Sequence, residues 1–207
     1  MGLSADQLKA SLDAVAAIEP ALQRAIDRAG YPPPRLRDRG YGTLLRTIVG
    51  QQVSVAAAQS IWAKLEAGLG NLDNPATLAA ASIDDMRPFG LSRQKASYAH
   101  SLAEQVTSGR LDLERLPADD EEAIAALTAV KGIGRWSAEI YLLFAEGRGD
   151  SWPAGDLAVQ IEIGRILGLA ERPTEKATRA LAEPWRPHRG AVAILAWHHY
   201  KVDMAVV

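Results

Sequence analysis

The 207-residue sequence contains no cysteine. That excludes disulfides, thiol nucleophiles and Cys-ligated zinc or iron–sulfur sites. Strand-like alternation of apolar and polar residues is hard to find, and runs of β-branched residues are short. There is no low-complexity tract and no repeat of fixed period. The longest apolar run near the end, Ala191 to Trp197, is far too short to span a bilayer. The opening MGLSADQLKASLDAV lacks a basic region followed by an apolar stretch, so no secretory signal is expected there. Neither charge sign dominates: 23 Lys and Arg stand against 25 Asp and Glu, a formal net charge of −2. Proteins that coat nucleic acid by bulk electrostatics are usually strongly basic. Any nucleic-acid contact here must therefore use a local face.

What remains reads as helix after helix, with signals at their ends. Leu8, Leu12, Val15 and Ala16 recur at helical spacing, and Pro20 opens a second helix at its favoured early position. Tyr31-Pro32-Pro33-Pro34 is a stiff connector. Leu44, Leu45, Ile48 and Val49 give the next helix an apolar face. Ser54 caps a long helix that Gly68 and Gly70 are expected to close. Asn74 before Pro75, Ser82 and Ser92 are further N-caps. Asp119 with Glu122 predicts a capping box for a helix running through Val130, and the acidic run from Asp119 to Glu122 reads as a solvated helix start. About ten helices with short connections predict an all-α fold. His198 and His199 are adjacent on the last helix, so they point to different faces and do not form a metal pair.

The stretch LTAVKGIGRWSAEIYLLFAEGRGDSWPAGD, Leu127 to Asp156, carries the functional signal. Two helical patterns flank the turn Lys131-Gly132-Ile133-Gly134. Glycine tolerates positive φ and lets another backbone come close, and Ile133 can plug the apolar space between the helices. The first N–H groups of the next helix lack intrahelical partners and form an anion site with the helix dipole. A plain helix corner, with glycine chosen for geometry, explains the same pattern. Asp156 opens the following helix, where it is either a simple N-cap or a carboxylate favoured as the anion by the dipole. In the second case it suits stabilisation of a cationic transition state or orientation of a water.

Taken together, Lys131-Gly132-Ile133-Gly134-Arg135-Trp136-Ser137-Ala138, Pro153-Ala154-Gly155-Asp156 and Ile48-Val49-Gly50-Gln51-Gln52-Val53-Ser54 resemble the helix-hairpin-helix (HhH-GPD) DNA glycosylases. The similarity is greatest to the 3-methyladenine DNA glycosylase II branch and extends from about residue 40 to 200. Phe89 to Ala96, Trp185 to Arg189 and Ala196-Trp197 add to it.

The resemblance implies one glycosylase domain over residues 1–207, made of two helical lobes with a cleft between them. One lobe spans about 40–130 with the hairpin at 127–140. The other combines the N-terminal segment with about 141–207. The implied activity is hydrolysis of the N-glycosidic bond of extruded alkylated bases, of the 3-methyladenine and 7-methylguanine type. Asp156 falls on the catalytic aspartate, and Trp136 and Trp197 on pocket aromatics. Gln51, Gln52, Ser54, Lys131, Gly132, Ile133, Gly134 and Arg135 fall on the DNA-binding surface. Gln52 takes the place of a wedge that is apolar in the nearest well-known relatives. The carbonyls of Thr128, Val130 and Ile133 fall where a monovalent cation, Na+ or K+, is held, and no other cofactor is implied.

Strand-cutting members carry a Lys two residues after the second hairpin glycine. Here that residue is Trp136, so a monofunctional enzyme leaving an abasic site is expected. Its partner would be double-stranded DNA with alkylated bases, not a membrane. The protein itself would be a monomer, cytoplasmic and nucleoid-associated in a bacterium or nuclear in a eukaryote. A glycosylase for other damaged bases and a non-catalytic helix-hairpin-helix DNA-binding module are the alternatives.

Overall fold

The structure, a computed structural model, describes residues 2–205. Among the described residues there is no strand, and twelve α-helices carry the fold. The first, α1 (Ala5–Ala16), starts at Ser4, whose hydroxyl accepts the Gln7 N–H while the Gln7 side chain accepts the Ser4 N–H. Pro20 heads α2 (Pro20–Ala29), where its missing N–H costs nothing. After the connector come α3 (Tyr41–Gly50) and α4 (Val55–Leu69), the latter capped by Ser54. Asn74, Ser82 and Ser92 cap α5 (Pro75–Ala80), α6 (Ile83–Met86) and α7 (Arg93–Thr107). Next are α8 (Asp120–Thr128) and α9 (Arg135–Tyr141), which runs on into a π turn over Leu142–Glu146. Asp156 and Thr174 cap α10 (Leu157–Ile166) and α11 (Glu175–Leu181), and α12 (Arg189–Ala205) follows.

Three details differ from the sequence reading. Asp119 does not form a reciprocal box with Glu122. Its Oδ1 accepts both the Glu121 and Glu122 N–H groups, at 2.9 and 3.0 Å. The helix it caps ends at Thr128, two residues short of Val130, because the Val130 N–H turns back to the Leu127 carbonyl at 3.2 Å. Gly68 does not end α4, which runs on to Leu69 with Gly70 as its C-cap. Gly68 is there for packing, since a Cβ on it would lie 2.1 Å from the Phe89 ring.

The chain forms two compact units. One comprises the residues up to Arg37 and those from Leu142 onward. In it α2 and α10 pack on α12, and α1 packs on α2 and α12, burying Leu8, Leu12, Leu22, Val159, Ile163 and Leu195. The other spans Asp38–Tyr141. There α3 and α5 pack on α7, α4 on α3 and α8 on α9, over a core that includes Leu44, Ile48, Leu65, Leu102 and Leu127. Full burial of each such side chain stabilises by about 1.5–3 kcal/mol. The connector that follows α2 is anchored in the first unit, where the Arg37 N–H donates to the Phe144 carbonyl at 2.9 Å.

Candidate active site

Asp156 is delivered by a rigid approach. Trp152 is buried edge-on against Trp185, centroids 5.9 Å apart, and its indole N–H donates to the Thr178 carbonyl at 3.2 Å. The buried Gln160 amide donates to the Ala154 carbonyl at 2.8 Å, and the Asp156 N–H donates to the Pro153 carbonyl at 2.9 Å. Asp156 Oδ1 then accepts the Val159 N–H at 2.9 Å, the ordinary work of an N-cap. The same oxygen also accepts the indole N–H of Trp197, 41 residues later, at 3.1 Å. A cap needs no such partner. Two fixed donors on one oxygen set the orientation of the carboxylate.

Trp197 is half-buried and tilts against Phe144, centroids 5.6 Å apart. The guanidinium of Arg35 lies 5.3 Å from the Trp197 ring and 5.9 Å from Phe144, and that of Arg37 lies 5.8 Å from Phe144. Burial pushes the Arg35 guanidinium below its ordinary pKa, the neighbouring Arg37 adds to this, and the charge of Asp156 acts in the opposite sense.

The hairpin belongs to the other unit. Ile133, in the turn between α8 and α9, is buried, 4% exposed. The two glycines are not equivalent. Gly132 sits at φ +86, and a Cβ there would lie 2.2 Å from the Tyr98 ring; Gly134 has no positive φ and nothing within 4 Å of a Cβ. The Gln51 amide donates to the Gly132 carbonyl at 2.9 Å, tying the loop after α3 to the hairpin across 81 residues of sequence. Lys95 Nζ donates to the Val49 carbonyl at 2.9 Å and holds the end of α3. Gln52 stands exposed at φ +54, the one non-glycine with positive φ among the described residues. Ser54 accepts the Ala57 N–H at 3.2 Å. Lys131 and Trp136 are exposed, Trp136 by 46%.

Arg135 is the surprise of this set. Its guanidinium forms a fork with the carboxylate of Glu121, with one bond at 2.8 Å, and its Nε donates to the buried Glu139 at 2.9 Å. It braces α8 against α9, and the acidic helix start read as solvated is in part its counter-charge.

A family model described as HhH-GPD superfamily base excision DNA repair protein matches residues 45–187. The chain belongs to the HhH-GPD superfamily. Within it, DNA-3-methyladenine glycosylase 1 of Schizosaccharomyces pombe is 31% identical over 180 residues, covering 83% of this chain and 78% of that protein. A crystal structure of a DNA-3-methyladenine glycosidase from Bacillus halodurans superposes with a TM-score of 0.86 at 29% identity, over 94% of this chain and 91% of that one. The S. pombe 3-methyladenine DNA glycosylase in complex with abasic DNA gives 0.75 at 28% identity, over 94% and 96%. Of a Bacillus subtilis relative, 26% identical, this chain spans 58% of the length and 76% of its own.

Several other polar side chains of this HhH-GPD chain are held by partners within the protein. His199 is buried with Nδ1 2.5 Å from Glu162, and His198 Nε2 contacts the Ala29 carbonyl at 2.9 Å. Arg189 grips Asp150 through two bonds of 2.8 Å, and His188 meets Ser11 at 3.1 Å. No group of three or more His, Cys, Asp or Glu among the described residues is placed to hold a metal. No helix among them is long and apolar enough to cross a membrane. Sequence reasoning missed Arg35, Phe144 and Tyr98. The only local signal was Arg35 and Arg37 directly after the triple proline, and nothing in it pointed to Trp197.

Proposed function

We propose that this protein is a monofunctional DNA glycosylase that hydrolyses the N-glycosidic bond of alkylated bases in double-stranded DNA. One observation carries the reading: Asp156 is aimed by both its own helix and the Trp197 indole, beside an aromatic surface. A base stacked in a duplex is out of reach, so the nucleotide must be extruded at a cost of a few kcal/mol. As the C1′–N bond breaks, the electron pair leaves with the base and C1′ gains oxocarbenium character. The Asp156 carboxylate stabilises that charge. Water adds to C1′ and its proton passes to Asp156. A ring-alkylated base is already positive, so it departs neutral without a general acid, and the Trp197 ring supplies an aromatic face that attracts it by about 0.5–2 kcal/mol.

The hairpin is the proposed phosphate grip, with Gly134 open for close approach and Lys131 as an exposed charge. Arg135 serves it through the backbone N–H, since its side chain is committed to Glu121 and Glu139. Gln52, held exposed in a left-handed conformation, is suited to wedge into the space left by the extruded nucleotide. The Thr128 carbonyl lies at the end of α8, where the last helix carbonyls lack intrahelical partners, and those of Val130 and Ile133 follow it. These hard oxygens fit Na+ or K+, and Val130, which accepts the Ile133 N–H at 3.1 Å, has a second lone pair for it. A bound cation would add positive charge beside a DNA phosphate. The absence of a Lys at position 136 and of any Cys supports base release without strand cleavage.

Incubation with methylated duplex DNA tests this, with release of 3-methyladenine and 7-methylguanine and an intact strand as the expected products. Asp156→Asn keeps a competent N-cap and should lose base release while still binding abasic-site DNA. Near-normal excision by that variant would sink the assignment.

A further inference from the structure

Arg35 lies in the helix-free connector between α2 and α3, yet it is firmly held. The connector is tied to the Phe144 carbonyl through Arg37, and Gly2 packs so closely that a Cβ there would lie 2.7 Å from the Phe144 carbonyl and 2.8 Å from that of Arg35. The guanidinium is half-buried against Trp197 and Phe144. Among the described residues it makes no hydrogen bond and no ion pair; the charges that act on it are the attraction of Asp156 and the repulsion of Arg37. Arginine does not give up its proton in proteins and carries five N–H donors. A fixed cation with donors that the protein leaves unmatched therefore stands beside the Trp197–Asp156 pair.

For a cationic alkylated base this cation is of no help. Such a base starts positive and departs neutral, and a neighbouring positive charge opposes its binding. A neutral damaged base behaves in the opposite way. When its C1′–N bond breaks, the electron pair leaves on the base, which departs as an anion and then takes a proton from solvent. A preorganised guanidinium facing that base stabilises the charge as it develops. We propose that Arg35 is a specificity-determining residue of the Asp156 site, extending excision from cationic alkylated bases to neutral damaged purines by stabilising the departing anion. This rests on the glycosylase reading above. The Trp197 and Phe144 rings, with centroids 5.3 and 5.9 Å from the guanidinium, flank a planar five-donor group, a role that the compact lysine ammonium fills less well.

The test compares hypoxanthine, which is neutral, with 7-methylguanine, which is cationic, in otherwise identical duplexes under single-turnover conditions. Both bases carry a carbonyl at C6; they differ in charge, in the N7 methyl and in the 2-amino group, so the reading rests on the ratio of variant to wild-type rate for each base. The wild-type protein should release both. Arg35→Gln should slow hypoxanthine release by about ten- to a hundredfold, the range of a lost charge-assisted hydrogen bond. Release of 7-methylguanine should change by less than about twofold or rise, and Arg35→Lys should recover part of the hypoxanthine rate. Equal losses on both bases would show that Arg35 only holds the connector in place, and would overturn the proposal. So would a wild-type enzyme that releases 7-methylguanine but no hypoxanthine, or an unchanged hypoxanthine rate in Arg35→Gln. Release of neither base by the wild type would instead bring down the glycosylase reading itself, and this inference with it.

Discussion

Replacing Gly132 and Gly134 separately by alanine should have effects of opposite sign, although the two residues look interchangeable in the Lys-Gly-Ile-Gly turn. At Gly132 the backbone sits at φ +86, where a Cβ meets the following carbonyl. That left-handed conformation costs a non-glycine residue about 1–2 kcal/mol. The new methyl would also lie 2.2–2.7 Å from three atoms of the Tyr98 ring. The ring is a poor candidate to move, because Gln94 donates to its hydroxyl from one turn earlier on α7. Overpacking of this kind adds about 1–3 kcal/mol. Alanine restricts the unfolded chain and returns about 0.4–1 kcal/mol. The net expectation for Gly132→Ala is a loss of roughly 1–4.6 kcal/mol from these terms.

At Gly134 no strain and no neighbour oppose the methyl, so only the unfolded-state term remains. Gly134→Ala should be neutral or stabilising by up to about 1 kcal/mol. Urea unfolding midpoints at unchanged m-value read both effects, and binding to abasic-site DNA is measured alongside. If Gly134 is where phosphate approaches, its variant loses binding without losing stability. Equal destabilisation by the two substitutions, or a Gly132→Ala protein as stable as the wild type, would refute the reasoning.

Tyr41 begins α3 with its hydroxyl buried and without a hydrogen-bond partner among the described residues, and burial with the charge of Asp73 holds its pKa well above the ordinary value. Tyr41→Phe should therefore leave thermal stability unchanged or raise it by up to about 1 kcal/mol, whereas a clear loss would reveal a partner. Arg135→Ala removes the half-exposed guanidinium from Glu139 and Glu121 and should cost about 1–3 kcal/mol in a denaturant titration, more than any effect on DNA affinity measured at matched folded fraction. Trp197→Phe keeps an aromatic ring but deletes the N–H that orients Asp156. It should lower the rate of base release by about tenfold, the worth of a hydrogen bond to a charged group, with the melting temperature little changed.

Much of the fold was legible because the signals at helix ends are local. Ser54, Ser82, Ser92 and Asp156 each receive a backbone N–H three residues on. Such a bond is encoded within one turn of chain. In two places where local reading failed, a distant residue had intervened. Gly68 is glycine because of Phe89, and the acidic start of α8 is partly neutralised by Arg135, 14 residues beyond Glu121. The capping expectation for Asp156 held as well, yet it described only one of the two donors on its Oδ1.

By itself the sequence determined an all-α chain with no thiol chemistry, the order of its motifs, and the presence of one carboxylate opening a helix after the hairpin. Those properties follow from residue type and short-range spacing, which a linear string contains in full. Tertiary structure alone decided that Trp197 orients Asp156, that Gln51 holds the hairpin rather than standing free beside it, that Gly132 and not Gly134 bears the left-handed turn, and that Arg35 stands over the Trp197 ring. Each of these depends on groups 34 to 162 positions apart meeting within a few ångströms. Such meetings are set by how helices pack, and packing is a property of the folded chain.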